Sequence, residues 1–351
     1  MQVARLHGPK DIRIAAEPEP PPPGPSEVTL NIGTVGLCGS DLHMYEAGRI
    51  GYTKLSEPVI LGHEFMGVVA ALGKDALDGN HQPLVLGQRV AVEPAVPCWR
   101  CELCEIGHPN LCPNHNFYGL FPEDGALRER MNVSARNCFP LPDALSDEVG
   151  PLLETLGVAI HAVDLAKIRV GGTVGVLGAG PVGMLITRLA ALAGAAQVFA
   201  FDKYDWRLRK AREWGATHAF NVDQCDPAGA VMDVTGGRGV DVAIEAAWAD
   251  HSVQQAADMA RYGGRLVLVG IPPDDKLQLQ HSVARRKGLT IMMSRRMKHT
   301  YPRAIELASS GRVKLEELVS HRFELSQTAQ AYASNLAYER GINKVILRVG
   351  N

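Results

Sequence analysis

Short apolar runs, rich in β-branched residues, alternate with longer amphipathic ones from Val170 onward. Such a pattern reads as strands alternating with helices. It predicts strands at Val174–Leu177, Val198–Asp202, His218–Asn221, Val240–Ile244 and Arg265–Val269, with helices at Val182–Ala193 and Trp206–Trp214. Alternation of this kind builds a doubly wound parallel α/β sheet, with ligands at the carboxyl ends of its strands. After Gly288 the pattern shifts to a strand at Leu289–Met293, helices at Tyr301–Ser310 and Ser326–Tyr338, and a last strand at Lys344–Val349. The first part of the chain is different. It reads as short strands at Gln2–Leu6, Ile12–Ile14, Glu27–Val35, Val85–Glu93 and Ala126–Val133, with a glycine-flanked turn over Gly36–His43. A cap at Ser146–Glu148 opens a helix running to Ala166, and the proline-rich Glu17–Pro25 is a stiff, extended connector.

The sharpest local signal follows the first parallel strand. Gly178, Gly180 and Gly183 stand at G-x-G-x-x-G spacing and lead through Pro181 and Val182 into a helix, and Asp202 ends the next strand 19 residues after Gly183. A lone glycine pattern is weak, but strand, turn, helix, strand and terminal acid together make a dinucleotide site. Gly178 permits the turn, Gly180 admits a pyrophosphate, Gly183 lets helix and strand pack, and the helix N-terminus offers free N–H donors. Asp202 accepts from both ribose hydroxyls and repels a 2′-phosphate, which favours NAD over NADP. Lys203 and Arg207, close by, soften that repulsion. Val269 and Gly270, at the end of a later strand, join the expected cofactor contacts.

Length and composition narrow the picture further. At 351 residues, with 46% hydrophobic residues and a formal net charge of −2, the chain is long enough for about two globular domains and lacks the basic balance of a nucleic-acid or membrane-surface binder. Val170–Thr187 is uncharged, but its six glycines and a proline argue against a membrane span. No apolar leader is visible at the start, so a soluble cytoplasmic protein is expected.

Four of the seven cysteines, Cys98, Cys101, Cys104 and Cys112, fall within 15 residues. Their spacing predicts a closed four-thiolate structural zinc site. An iron–sulfur reading competes, but the ferredoxin run has its fourth cysteine closer. Cys138 and Cys225 have no partner pattern. Elsewhere, Cys38, Ser40, Asp41 and His43 crowd one turn, and His63 and Glu64 stand together after Gly62. Adjacent strand residues face opposite ways, so both reach one ion only if the backbone turns there, which Gly62 permits. Taken singly, Cys38 and His63 read as core, and Glu154, amid leucines, as an exposed helical acid.

Over essentially its full length the chain resembles the zinc-dependent medium-chain dehydrogenases, nearest the polyol (sorbitol-type) members. Gly36-Leu-Cys38-Gly-Ser40-Asp41, Gly62-His63-Glu64, the cysteine lobe, Leu-Leu-Glu154 and Gly178–Gly183 carry the resemblance, in the family's order. It implies a GroES-like, mainly β catalytic domain over 1–154 with the zinc lobe at 94–113, an NAD-binding Rossmann domain over 155–290, and a return to the catalytic domain over 291–351. It also implies a catalytic zinc on Cys38, His63 and Glu64, with Glu154 beside the metal directly or through water. Ser40 and His43 become proton carriers, although a capping serine and a surface histidine remain open. Arg296 matches a contact to substrate hydroxyls, with Arg295 as rival. The implied reaction is hydride transfer from a secondary alcohol or polyol to NAD⁺, giving a ketone, by a homotetramer or dimer. A threonine- or glucose-type dehydrogenase is the alternative within the family, and a non-catalytic zinc-stabilised binding protein the alternative outside it. Thr155, Met44, Tyr45, Phe121–Asp124 and Ala246–Trp248 depart from the polyol pattern and put the substrate's identity in doubt.

Overall fold

The computed structural model describes residues 1–249, 251–272, 274–339 and 341–350. They form two compact units, one of Met1–Thr155 with Tyr301–Asn351 and one of Leu156–Thr300.

In the second unit six parallel strands lie in the order His218–Asn221, Gln197–Asp202, Thr173–Leu177, Val240–Glu245, Ala260–Leu268 and Thr290–Met293. By chain position that is 3-2-1-4-5-6, whose switch point lies between Thr173–Leu177 and Val240–Glu245. Leu177 sits in register with Phe201 on one side and Glu245 on the other. Leu177, Phe199, Phe201, Ala243, Leu266 and Leu268 share one buried cluster, so strands covered on both faces read as unbroken apolar runs. The sequence pattern gave no helix between Asn221 and Gly288, yet among the described residues there are three: Pro227–Thr235, Ser252–Met259 and His281–Lys287. They are too short for a visible period, and their ends are set by local chemistry instead. Asp226 accepts from Gly229 N–H at 2.8 Å, Pro227 opens the first of them, and Gly236 closes it at φ 62°.

The first unit is built on a seven-stranded sheet. Its path runs Cys138–Pro140, Arg89–Val92, Glu64–Leu72, Glu27–Gly36, Lys344–Arg348, Val319–Glu324, and Arg130–Ser134 pairs with Glu27–Gly36. The C-terminal strand enters because Ile346 and Leu347 pair with Gly36 and Val35. Leu30, Ile32, Leu61, Phe65, Val345 and Leu347 are buried together beneath it. Gly36–His43, expected as a turn, instead opens the helix Gly39–Ala47, which Asp41 caps by accepting from Cys38 N–H at 3.1 Å. The helix expected from Ser146 begins at Leu152 and runs to Ala166. Among the described residues no helix is long and apolar enough to cross a membrane.

Candidate metal centre and nucleotide turn

Gly62 has φ +94°, and a Cβ there would stand 2.8 Å from Val35 Cγ1. Only glycine fits that left-handed, crowded position. The kink separates the strand Val59–Ile60 from Glu64–Leu72, so His63 and Glu64 escape strand alternation. Their donor atoms and Cys38 Sγ all lie within 4.8 Å of one another. His63 and Glu64 are buried. Asp41 Oδ1 stands 3.1 Å from His63 Nδ1, holding the ring so that Nε2 faces the other way, 3.4 Å from Ser40 Oγ. A carboxylate behind a ligating imidazole fixes its tautomer and strengthens it as a donor. Burial pulls the His63 pKa down, but Asp41 and Cys38 outweigh it and hold the pKa well above the usual value. Bound to a metal, the ring is neutral and these same groups support it.

Glu64 pairs with the ammonium of Lys344, both of them almost wholly buried, and that ammonium also donates to Leu37 O at 3.0 Å. Burial, then the nearby Glu64 charge, pushes Glu154 up to about 7. Glu93 is pushed up to about 8 by burial and by Glu154. The buried Tyr301 phenol donates to Val92 O at 2.6 Å and is likewise pushed well up. One lysine among several carboxyls and a thiol leaves a dry site short of positive charge, and a dication supplies it. Glu154 does not join the three-donor group.

In the lobe, Cys101 Sγ lies 3.5 Å from Cys104 Sγ and 3.8 Å from Cys112 Sγ, and Cys112 Sγ lies 3.5 Å from Cys98 Sγ. Zn–S bonds of ~2.3 Å in a tetrahedron set sulfurs ~3.8 Å apart. The set therefore fits one zinc, whereas the cysteines of a multi-iron cluster bind separate irons and stand farther apart. Cys98 is drawn down to about 6, first by a backbone hydrogen bond at Arg100, which favours the thiolate. Cys138 is fully buried, its Sγ 3.7 Å from Ser134 O, a packed thiol.

At the switch point of the parallel sheet, Gly178 has φ +92° and a Cβ there would meet Ala246 O at 2.6 Å. A Cβ on Gly183 would collide with Gly178 O, whereas one on Gly180 would find only Arg207 Nη1, 3.9 Å away. Space is thus kept open at Gly180, the N-cap of the helix Pro181–Leu192, which has no side-chain cap. Asp202 closes the neighbouring strand. Its Oδ2 accepts from Ala179 N–H at 2.8 Å and its Oδ1 from Tyr204 N–H at 3.0 Å, leaving a lone pair on each oxygen. Arg207 Nη1 lies 3.6 Å from Asp202 Oδ2, and Lys203 lies over the Tyr204 ring.

Residues 24–143 match the alcohol dehydrogenase GroES-like domain and residues 181–310 the zinc-binding dehydrogenase domain. A sorbitol dehydrogenase of Bacillus subtilis (strain 168) is 36% identical over 99% of this chain and 97% of its own. The chain belongs to the zinc-dependent dehydrogenases. Human sorbitol dehydrogenase is 37% identical to this dehydrogenase over 98% of it and 94% of the human chain. A crystal structure of an Escherichia coli oxidoreductase/dehydrogenase of unknown specificity superposes with TM-score 0.92 at 29% identity, covering 100% of this chain and 99% of that one. The protein is a zinc-dependent polyol or alcohol oxidoreductase that uses NAD.

The sequence places Asp41 in the turn with Cys38 but assigns it no role, and gives none to Glu93 at the end of its strand. Lys344 escapes it altogether, 307 residues from its carbonyl partner Leu37 with nothing local to mark it. Arg296 and the turn at Val269–Gly270 lie in the second unit, where a Cβ on Gly270 would crowd Glu245 and Trp248.

Proposed function

We propose that this dehydrogenase oxidises a secondary hydroxyl of a polyol to a ketone, at a zinc held by Cys38, His63 and Glu64. The convergence of those three donors in a buried, carboxyl-rich site carries the reading. When bound, zinc would lower the pKa of a held alcohol as it lowers that of a water, from ~16 to ~7, and NAD⁺ would accept the hydride. The residues do the rest. Asp41 orients His63, and Lys344 steadies the Glu64 charge. Glu154, at the start of its helix, holds the substrate hydroxyl or a water beside the metal. Ser40 Oγ takes the hydroxyl proton. His43, one turn along the same helix, passes it outward. Arg296 and its neighbour Arg295 are assigned to the distal substrate hydroxyls on the resemblance alone.

For the cofactor, we assign the pyrophosphate to Gly178, Gly180, Pro181, Val182 and Gly183, and the adenosine ribose to Asp202 with Lys203 and Arg207. Val269 and Gly270 contact the nicotinamide half. The domain division follows the same reading, with 1–154 and 291–351 catalytic and 155–290 binding NAD; the strand Thr290–Met293, paired in the parallel sheet, carries the second compact unit on to Thr300. A homo-oligomer, tetramer or dimer, is supported by exposed Ile291 and Met293 on that sheet's last strand, and a cytoplasmic setting by seven free cysteines.

The test is NADH formation over a panel of polyols, aldoses and amino alcohols, with and without a chelator. Chelator-sensitive oxidation of polyols is expected. Preference for an aldose or for threonine would move the assignment within the family, and NAD-independent metal binding without turnover would end it.

A further inference from the structure

His63 and Glu64 reach Cys38 only because the chain turns at Gly62, and the strand before that turn is slight. Val59–Ile60 pairs with the first strand at two positions, Val59 with Leu6 and Ile60 with Arg5. The run Ile60–Gly62 is held by a second stretch of chain, Asp124–Leu127. Gly125 N–H donates to Ile60 O at 2.6 Å, Leu127 N–H to Leu61 O at 3.1 Å and Ala126 N–H to Gly62 O at 2.9 Å. In return, Ile60 N–H donates to Asp124 Oδ1 at 2.8 Å. The three carbonyls leading into His63 are thus all satisfied from one stretch. The packing leaves no slack, since a Cβ on Gly119 or on Gly125 would stand 2.5 Å from Gly62 O. At the start of the same loop, the Phe117 ring lies 5.4 Å from the His63 ring.

This loop needs an anchor. Between the strands Asn116–Phe117 and Arg130–Ser134 it forms no helix or strand, only isolated bridges. Asp124 supplies the anchor through Arg5, whose Nη1 and Nη2 stand 3.0 and 3.1 Å from its two oxygens, a forked pair. Arg5 Nη1 also donates to Pro58 O at 3.2 Å, just ahead of the slight strand. The same guanidinium holds Glu17 through two bonds of 2.8 Å. The two carboxylates are almost equally exposed, Glu17 at 29% and Asp124 at 31%. They differ in what stands behind them. Glu17 belongs to the proline-rich connector, whereas Asp124 leads straight into the bonds with Ile60–Gly62.

We propose that Asp124 is a positioning residue of the metal centre: anchored by Arg5, it fixes Ile60–Gly62 and so the meeting of His63 and Glu64 with Cys38. The proposal rests on the reading of those three as zinc ligands. The four-thiolate lobe serves as an internal reference.

Chelator competition on the full chain measures zinc affinity at both sites in wild type, Asp124→Ala and Glu17→Ala. In Asp124→Ala the Cys38–His63–Glu64 site is expected to bind zinc about tenfold more weakly, the lower end of what a lost supporting partner costs a metal site, with the lobe unchanged. Glu17→Ala breaks a matched ion pair of the same guanidinium and is expected to leave both sites as in wild type. Should Asp124→Ala not fold, Asp124→Asn keeps an acceptor for Ile60 N–H but loses the pair with Arg5, and is expected to weaken the same site alone. Equal catalytic-site affinity in the Asp124 and Glu17 variants, or an equal loss at the lobe, overturns the proposal and leaves the zinc reading standing. A wild type that holds zinc in the lobe only overturns that reading, and this inference with it.

Discussion

The ammonium of Lys344 is paired with Glu64 in the floor of the metal centre, both side chains at most 2% exposed. The pair is buried beside Cys38 and Glu154, so the lysine compensates a site that is otherwise too negative. Removing one member of a buried pair leaves an uncompensated charge and costs about 3–5 kcal/mol. Lys344→Met is expected to lose that much stability without metal. Zinc then supplies the missing positive charge, so the deficit shrinks when the site is loaded. Urea unfolding of wild type and variant, with and without zinc, checks this; an equal loss in both states would sink the idea.

Asp41 stands directly behind His63, a proposed metal ligand. Because its carboxylate stands 3.1 Å from His63 Nδ1, Asp41→Asn keeps the shape but weakens the support of the ligating ring. Zinc affinity at the catalytic site should fall by about 10–100-fold, as for other partners of metal-bound histidine. Chelator competition measures it directly, and turnover measured at saturating zinc separates lost metal from lost chemistry.

Metal analysis should find about two zinc ions per chain, one for each donor set. Cys104→Ser opens the four-sulfur shell, whose sulfurs stand 3.5–3.8 Å apart where measured. It should remove one ion, lower the unfolding temperature and leave the Cys38–His63–Glu64 ion in place. Loss of both ions together, or a coloured iron–sulfur spectrum, would refute the division into two sites.

Glu148 joins two parts of the catalytic unit that are distant in the chain. Arg322 donates to both its oxygens at 2.7 and 2.6 Å, and Arg348 adds a third bond at 2.9 Å. The hydrogen bonds from Arg322 hold its pKa down at about 2, against 4.5 when unpaired. A carboxylate depressed in the folded state contributes stability that is complete above its unfolded pKa and lost as pH falls towards the folded value. Glu148→Gln should therefore cost about 1 kcal/mol at pH 7, the size of a good surface network. Denaturation at pH 3 should reveal a visibly smaller deficit.

Much of this architecture was legible because it is local. The strands of the parallel sheet are continuous apolar runs, the glycine spacing announces the turn at Gly178–Gly183, and four cysteines crowd one lobe. What stayed hidden depends on distant partners or on ends rather than periods. The helix Gly39–Ala47 looked like a turn because Gly36, Gly39 and Gly48 frame it, although Asp41 caps it from within. Pro227–Thr235 is rich in small residues and shows little face, and Ser252–Met259 has a buried face at Ser252, Ala256, Ala257 and Met259 but spans only eight residues. Lys344 sits in a strand of Val, Ile and Leu, where only the fold reveals that its ammonium meets Glu64.

The glycines of the nucleotide turn separate binding from folding. Gly183 is closed by Gly178 O, so Gly183→Ala forces strand and helix apart and should destabilise the protein outright. Gly180 differs: its φ of −68° suits any residue, and the nearest atom to an added Cβ is Arg207 Nη1 at 3.9 Å. The space a methyl would fill is the space a pyrophosphate needs. Gly180→Ala is thus expected to unfold at the wild-type temperature yet to bind NADH at least about tenfold more weakly, a loss of ~1.4 kcal/mol. Thermal unfolding and NADH fluorescence titration read the two quantities independently. Unchanged NADH affinity would mean that the cofactor does not approach the backbone at Gly180, and the assignment of the turn would have to be given up.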